Sequence, residues 1–193
     1  MASPDQSLVL ASTSPQRRAI LEQLGIPFAV VAPAYQEHDP PDADPTRLVR
    51  DHAEGKARSV HSEGRWTLGV DTTVHLEGAT YGKPTDADGA RRILEQLSGM
   101  THEVISGLCL LGPGVLRVED ARTLVTFRAA AAGEIDRYVA SGEWEGRAGG
   151  YAIQGLGARL VARIDGDYLN VVGLPAALLV GLLTTHAPHL LGG

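Results

Sequence analysis

Leu8–Leu24, LVLASTSPQRRAILEQL, states a local structure and a chemistry together. Leu8, Val9 and Leu10 form a short continuous apolar run, the pattern of a strand buried on both faces. Ser12, Thr13 and Ser14 then supply hydroxyls. Pro15 suits a first helical position, where its missing N–H costs nothing, and Ser14 is placed to cap. Ile20, Leu21 and Leu24 share one face of the helix that follows, and Gly25 is placed to end it. A strand that turns through hydroxyls into a helix start presents unpaired N–H groups and the positive dipole end, which together attract an anion. Arg17 and Arg18 stand in that first turn, where the dipole disfavours cations unless an anion such as phosphate neutralises them. The alternative for the same residues is a solvated basic turn after an ordinary capped helix.

The chain has 193 residues, enough for one large domain or two small lobes with a sizeable core. With 44% apolar and 21% charged residues it has the composition of a soluble globular protein, and no apolar run reaches the roughly 20 residues needed to span a bilayer. No basic segment leads into an apolar one at the start, so a cytoplasmic location is the expectation. Cys109 is the only cysteine, which excludes an internal disulfide and a thiolate zinc cluster. The net charge of −6 and the lack of a basic patch argue against nucleic acid as a partner, and nothing suggests a membrane. A small phosphorylated ligand needs only a few converging cations in a pocket.

Outward from the opening unit, residues 1–6 are polar and expected to be frayed, and Phe28–Ala32 reads as a second strand. Pro33–Pro45, proline-rich and acidic, reads as an irregular surface loop containing Glu37. Pro45–Val60 is helical in pattern, with Leu48, Val49, Ala53 and Ala57 on one side. Lys56 lies near its end, where a lysine also suits the helix dipole. Trp66–Leu76, WTLGVDTTVHL, reads as a strand. Period two puts Leu68, Val70, Thr72, Val74 and Leu76 on one face and Gly69, Asp71, Thr73 and His75 on another that is too polar for a core. Strands are depleted in aspartate, so Asp71 breaks local consistency and is a functional candidate. Glu77 and Gly78 turn the chain into Ala79–Tyr81, a hairpin that would bring Lys83 across from Asp71 and Thr72.

Thr85 is placed to cap a helix over Asp86–Ser98 with Ala90, Ile93, Leu94 and Leu97 inward. Strands follow at Thr101–Leu111, Val115–Val118 and Ala121–Phe127, then a short helix at Glu134–Ser141. Gly142–Gly157, GEWEGRAGGYAIQGLG, holds six glycines, which suit either close approach to a ligand or a mobile loop. Gln154 in it could read a base edge, since an amide offers both donor and acceptor. Asp165 and Gly166 read as the turn of a hairpin between Ala158–Ile164 and Asp167–Val172. Pro175 opens a last apolar helix to about His186, buried or packed against a second subunit.

The chain resembles the Maf family of nucleoside triphosphate pyrophosphatases from about Leu8 to Leu183. The motifs come in order: LASTSPQRR, the lone Glu37, AEGKA around Lys56, GVDTTV, GKP, LSGMTH, AGGYAIQGLG and GDYLNVVGLP. The resemblance implies one Maf-like domain over residues 1–193. Its fold is mixed α/β, similar to inosine triphosphatase, with an extended, largely antiparallel sheet flanked by helices and two lobes around a central cleft. It also implies a homodimer and a divalent metal, Mg²⁺ or Mn²⁺, whose ligands are unknown.

By the same resemblance Asp71 falls on the general base, and Ser12, Ser14 and Arg17 fall on the phosphate-binding turn. Lys56 and Lys83 match lysines around the triphosphate, and Glu37 matches an acidic loop residue that helps place metal or water. Arg17, Thr72 and Gln154 together resemble members that act on dTTP and UTP rather than 7-methyl-GTP. Two positions depart from the pattern: Gln16 stands where an arginine is usual, and Arg147 where a lysine is more common. The alternatives are a pyrophosphatase for modified or purine nucleotides, or a regulator of septum formation acting through a partner.

Overall fold

The computed structural model describes residues 8–40 and 43–192. The polar tail at 1–6 and residues 41–42 of the Pro33–Pro45 loop lie outside the described residues. In chain order the elements are β1 (Leu8–Ala11), α1 (Pro15–Gln23), β2 (Phe28–Val31), α2 (Pro45–Val60), β3 (Thr67–Leu76), β4 (Ala79–Tyr81) and α3 (Ala87–Leu97). They continue with β5 (Thr101–Gly112), β6 (Val115–Phe127), α4 (Glu134–Ala140), β7 (Val161–Asp165), α5 (Tyr168–Val172) and α6 (Ala176–His186). The strands form one seven-stranded sheet in the order β2-β1-β3-β5-β6-β7, with β4 paired to β3. Pairing is parallel for β1 with β2 and with β3, and antiparallel for β3 with β4 and β6 with β7. This is a mixed α/β fold with helices against a mixed sheet. The chain divides into two compact units, with boundaries inside β3 between Asp71 and Thr72, inside β5 and inside β6.

The first unit runs to Asp71 and includes Ser106–Ala121 and the chain from Gly173. All four residues of β1 are buried, as its apolar run requires. Ser14 caps α1 by accepting from Arg17 N, with Pro15 in the first helical position. α2 lies directly on the sheet. A Cβ added at Gly69 would stand 2.0 Å from the Ala53 carbonyl oxygen, and one at Gly107 would stand 2.1 Å from that of Val49. The polar face of β3 is therefore not solvated as its composition suggests: Gly69 is covered by α2, and Thr73, in the second unit, is buried too. The buried face of α2 is Val49, His52, Ala53, Lys56 and Ala57, the i, i+3, i+4, i+7, i+8 spacing of one helix face, and it includes a histidine and a lysine.

The second unit comprises Thr72–Ile105 and Arg122–Val172. Its core gathers Val74, Leu94, Leu97, Val104, Phe127, Tyr138, Trp144 and Tyr151 among others. Asp86, not Thr85, caps α3, accepting from Gly89 N at 2.6 Å; a carboxylate there also meets the dipole. Val115–Phe127 is one continuous strand rather than two. The expected hairpin at Asp165–Gly166 does not form: Val161–Asp165 pairs with β6, but the next residues coil into α5. Side chains override the turn signal there. Asp167 Oδ1 accepts from Leu169 N at 2.8 Å, and the buried Asn170 amide donates to Val104 O and Thr123 Oγ1. The glycine-rich stretch is tied down at several points. Tyr138 OH accepts from Ala152 N, Glu143 accepts from Leu156 N and Gly157 N, and Gly149, at φ 70°, abuts Val74.

His102 is fully buried here, edge-on to Phe127 and hydrogen-bonded through Nε2 to Tyr151 OH at 2.9 Å. Burial pulls its pKa from 6.5 down to about 4, so the folded protein holds it neutral. As pH falls the unfolded chain takes up this proton first. Stability carried by the neutral ring is therefore present above pH 6.5 and lost as pH falls towards 4, by at most about 3 kcal/mol. Urea unfolding from pH 7 to pH 4 is expected to show a steeper loss for the wild type than for His102→Asn. In the first unit, Gly69→Ala and Gly107→Ala are each expected to cost about 1–3 kcal/mol in the same assay, because α2 must lift off the sheet.

Candidate active site

Two carboxylates of the first unit converge on one ammonium. Lys56 Nζ lies 2.6 Å from Asp71 Oδ1 and 2.5 Å from Glu37 Oε1. The Lys56 side chain is 10% exposed, Asp71 16% and Glu37 48%, so the pair with Asp71 is the dry one and Glu37 meets it from the solvent side. The close seating of α2 on Gly69 sets the Lys56–Asp71 contact: Lys56 is on the buried helix face, and Asp71 lies two residues along the strand from Gly69. The dipole reading of Lys56 thus gives way to an ion pair.

The turn after β1 brings the next cation. Arg17 donates from Nε to Gly173 O at 3.0 Å and from a terminal nitrogen to Ser12 Oγ at 3.1 Å, and Ser12 Oγ also accepts from Ser14 N. Burial lowers the pKa of Arg17, while Asp71 and then Glu37 push it back up, so these carboxylates act electrically on the guanidinium. Gln16 accepts from Ser14 Oγ at 2.8 Å, and Arg18 is exposed. Ser12, Ser14, Arg17, Glu37, Lys56 and Asp71 are therefore gathered in one unit. The turn offers N–H groups at a capped helix start with a held guanidinium, and β3 and α2 offer a carboxylate next to an ammonium. Such a cluster can exchange its internal ion pairs for a polyanion and leave a carboxylate free to take a proton.

Thr72, Lys83 and Gln154 belong to the second unit. There the β3–β4 pairing runs from Leu76 with Ala79 to Val74 with Tyr81 and ends before it reaches Thr72 and Lys83. Lys83 is exposed beyond the end of β4, and Gln154 is exposed in the turn after the buried Tyr151–Ile153. Three residues close to the cluster, Tyr35, Asp39 and His52, escaped the sequence reading. His52 Nε2 lies 2.7 Å from Asp39 Oδ1, and its Nδ1 lies 3.0 Å from Tyr35 OH. The signal was present in the spacing, since His52 is one turn before Lys56 on the same face of α2.

A family model described as Maf-like protein matches residues 7–186. The chain belongs to the Maf family. Among Maf relatives, a protein from Gloeobacter violaceus named dTTP/UTP pyrophosphatase is 46% identical over 178 residues, covering 91% of this chain and 94% of that one. One of the same name from Symbiobacterium thermophilum is 43% identical, covering 93% of each chain, and another from Thermus thermophilus is 41% identical, covering 95% and 96%. Among solved structures, the Staphylococcus aureus Ham1 protein matches at 10% identity with a TM-score of 0.42, over 63% of this chain and 71% of that one.

Removing the shared cation tests the cluster. Lys56→Met leaves Asp71 and Glu37 converging without it and is expected to lower stability by about 1–3 kcal/mol in urea unfolding at pH 7. Lys83→Met, at an exposed position, is expected to change it by about 0.5 kcal/mol or less.

Proposed function

We propose that the protein is a nucleoside triphosphate pyrophosphatase that hydrolyses dTTP and UTP to the monophosphate and pyrophosphate, removing unwanted nucleotides from the pool. The observation that carries this reading is the Lys56 ammonium shared by Asp71 and Glu37, with Arg17 under the field of both carboxylates. The names of the relatives supply the substrate class.

In this reading Asp71 is the general base. It takes a proton from water as the water oxygen bonds to the α-phosphorus, and the bond from that phosphorus to the α–β bridging oxygen breaks to release pyrophosphate. Lys56 and Arg17 neutralise the charge that collects on the leaving oxygens, with Ser12, Ser14 and the N–H groups of the turn holding phosphate oxygens. Lys83 is assigned to the same polyphosphate, and Thr72 and Gln154 to the base, on the family resemblance.

A divalent cation suits these donors, since Asp71 and Glu37 already converge on one positive centre. Bound Mg²⁺ or Mn²⁺ would be held by those two carboxylates and would add charge neutralisation at the polyphosphate. A homodimer is proposed on the resemblance alone, and a cytoplasmic location on the sequence reading alone. Among the described residues no helix is long and apolar enough to cross a membrane.

An end-point assay across a nucleotide panel with Mg²⁺ and Mn²⁺, read as phosphate after added inorganic pyrophosphatase, is expected to favour dTTP and UTP. Equal rates on GTP and dTTP would defeat the pyrimidine assignment. Asp71→Asn is expected to lower turnover about 100-fold or more while nucleotide binding persists. Retention of more than about a tenth of wild-type turnover would remove Asp71 from the role of base.

A further inference from the structure

The segment that carries Glu37 has no regular secondary structure between Ala32 and Pro40, yet it delivers a carboxylate to within 2.5 Å of Lys56. One imidazole makes two of its attachments to α2. His52, 3% exposed on the buried face of α2, uses both ring nitrogens on residues that flank Glu37 at equal distance in sequence. Asp39, two residues after Glu37, takes the Nε2–H at 2.7 Å, because an ionised carboxylate can only accept. Nδ1 of a neutral ring then accepts the hydroxyl proton of Tyr35, two residues before Glu37, at 3.0 Å. Tyr35, Glu37 and Asp39 thus all reach side chains of α2.

Two further contacts seat this clasp. The Tyr35 ring stands edge-on to His52 with centroids 5.6 Å apart. It also lies flat on the helix at Gly55, where an added Cβ would be 2.3 Å from the ring. His52 and Lys56 are one turn apart, so the peg and the ammonium it serves are fixed to the same rigid rod.

We propose that His52 is a positioning residue that, by binding Tyr35 and Asp39, holds Glu37 against Lys56 and Asp71. It touches neither substrate nor the reacting water and acts only through Glu37. This inference rests on the pyrophosphatase reading for its kinetic readout, though not for its structural one. Freeing the segment restores backbone entropy that the two hydrogen bonds now suppress, and a carboxylate displaced by about an ångström loses most of its effect.

His52→Leu fills the helix face with an apolar side chain and removes both bonds. It is expected to lower kcat for dTTP about tenfold or more, with KM changed less than kcat. His52→Gln, which offers one donor and one acceptor, is expected to recover part of the loss. The discriminating arm is the double variant His52→Leu/Glu37→Gln. If His52 acts through Glu37, its turnover matches that of Glu37→Gln alone; if His52 only stabilises the fold, the two losses multiply.

Multiplied losses, or kcat of His52→Leu within about twofold of wild type, would overturn the proposal. Should His52→Leu not fold, Tyr35→Phe/Asp39→Ala removes the same two bonds from the loop side and takes its place in the cycle. Should the wild type hydrolyse no nucleoside triphosphate, the pyrophosphatase reading fails by itself. Hydrogen exchange then decides the proposal. Amides 35–39 must exchange at least about tenfold faster in His52→Leu with the rest of α2 unchanged, and unchanged exchange at 35–39 would end it.

Discussion

The Lys56 ammonium, held between Asp71 and Glu37, is the interaction on which the rest of the first unit depends. Two carboxylates brought to one point repel each other unless a cation stands between them, and a cation this dry is tolerated only with partners. Meeting both conditions restricts the backbone. α2 must lie low enough on β3 for a lysine stem to span the gap, which the bare Gly69 and Gly107 permit and a Cβ at either would prevent. The loop must also bring Glu37 from the other side, which the Tyr35, His52 and Asp39 contacts secure. A helix with bulkier residues than Ala53 and Ala57 on this face, or a strand with a side chain at Gly69, would leave Asp71 with no ammonium within reach.

That internal neutrality also suits the proposed chemistry. Asp71 and Glu37 balance Lys56 and Arg17, so the resting cluster carries little net charge although the chain as a whole is acidic. An arriving triphosphate with its metal would replace one set of ion pairs by another rather than strip bare charges of water, and the donors would need little reorganisation. The capped start of α1 adds fixed dipoles whose orientation is set by Ser14 and Pro15.

Much of this was legible in the sequence where a residue's surroundings are local. The strand, hydroxyl turn and capped helix of Leu8–Leu24 depend on neighbours a few positions apart, and the structure has them in that form. Asp71 declared itself by breaking strand propensity. Lys56 was reached only through the family resemblance and His52 not at all, because their significance comes from partners in a distant loop that no periodicity places. A lysine near a helix end has a sufficient local explanation, and a histidine among apolar positions reads as an interruption of the stripe. The Asp165–Gly166 turn misled for a related reason. Asp167, Asn170 and Thr123 form a hydrogen-bonded set that outweighs the hairpin preference, and its strand member lies 44 residues before Asp167.

The most direct test is a crystal structure of the protein with a dTTP analogue whose α–β bridge cannot be hydrolysed, grown with Mg²⁺. The polyphosphate is expected to lie against Arg17 and Lys56, with a carboxylate oxygen of Asp71 facing the α-phosphorus and Glu37 on the same cation as Asp71. An analogue bound elsewhere, with the contacts among Lys56, Asp71 and Glu37 undisturbed and no phosphate near them, would contradict the central claim.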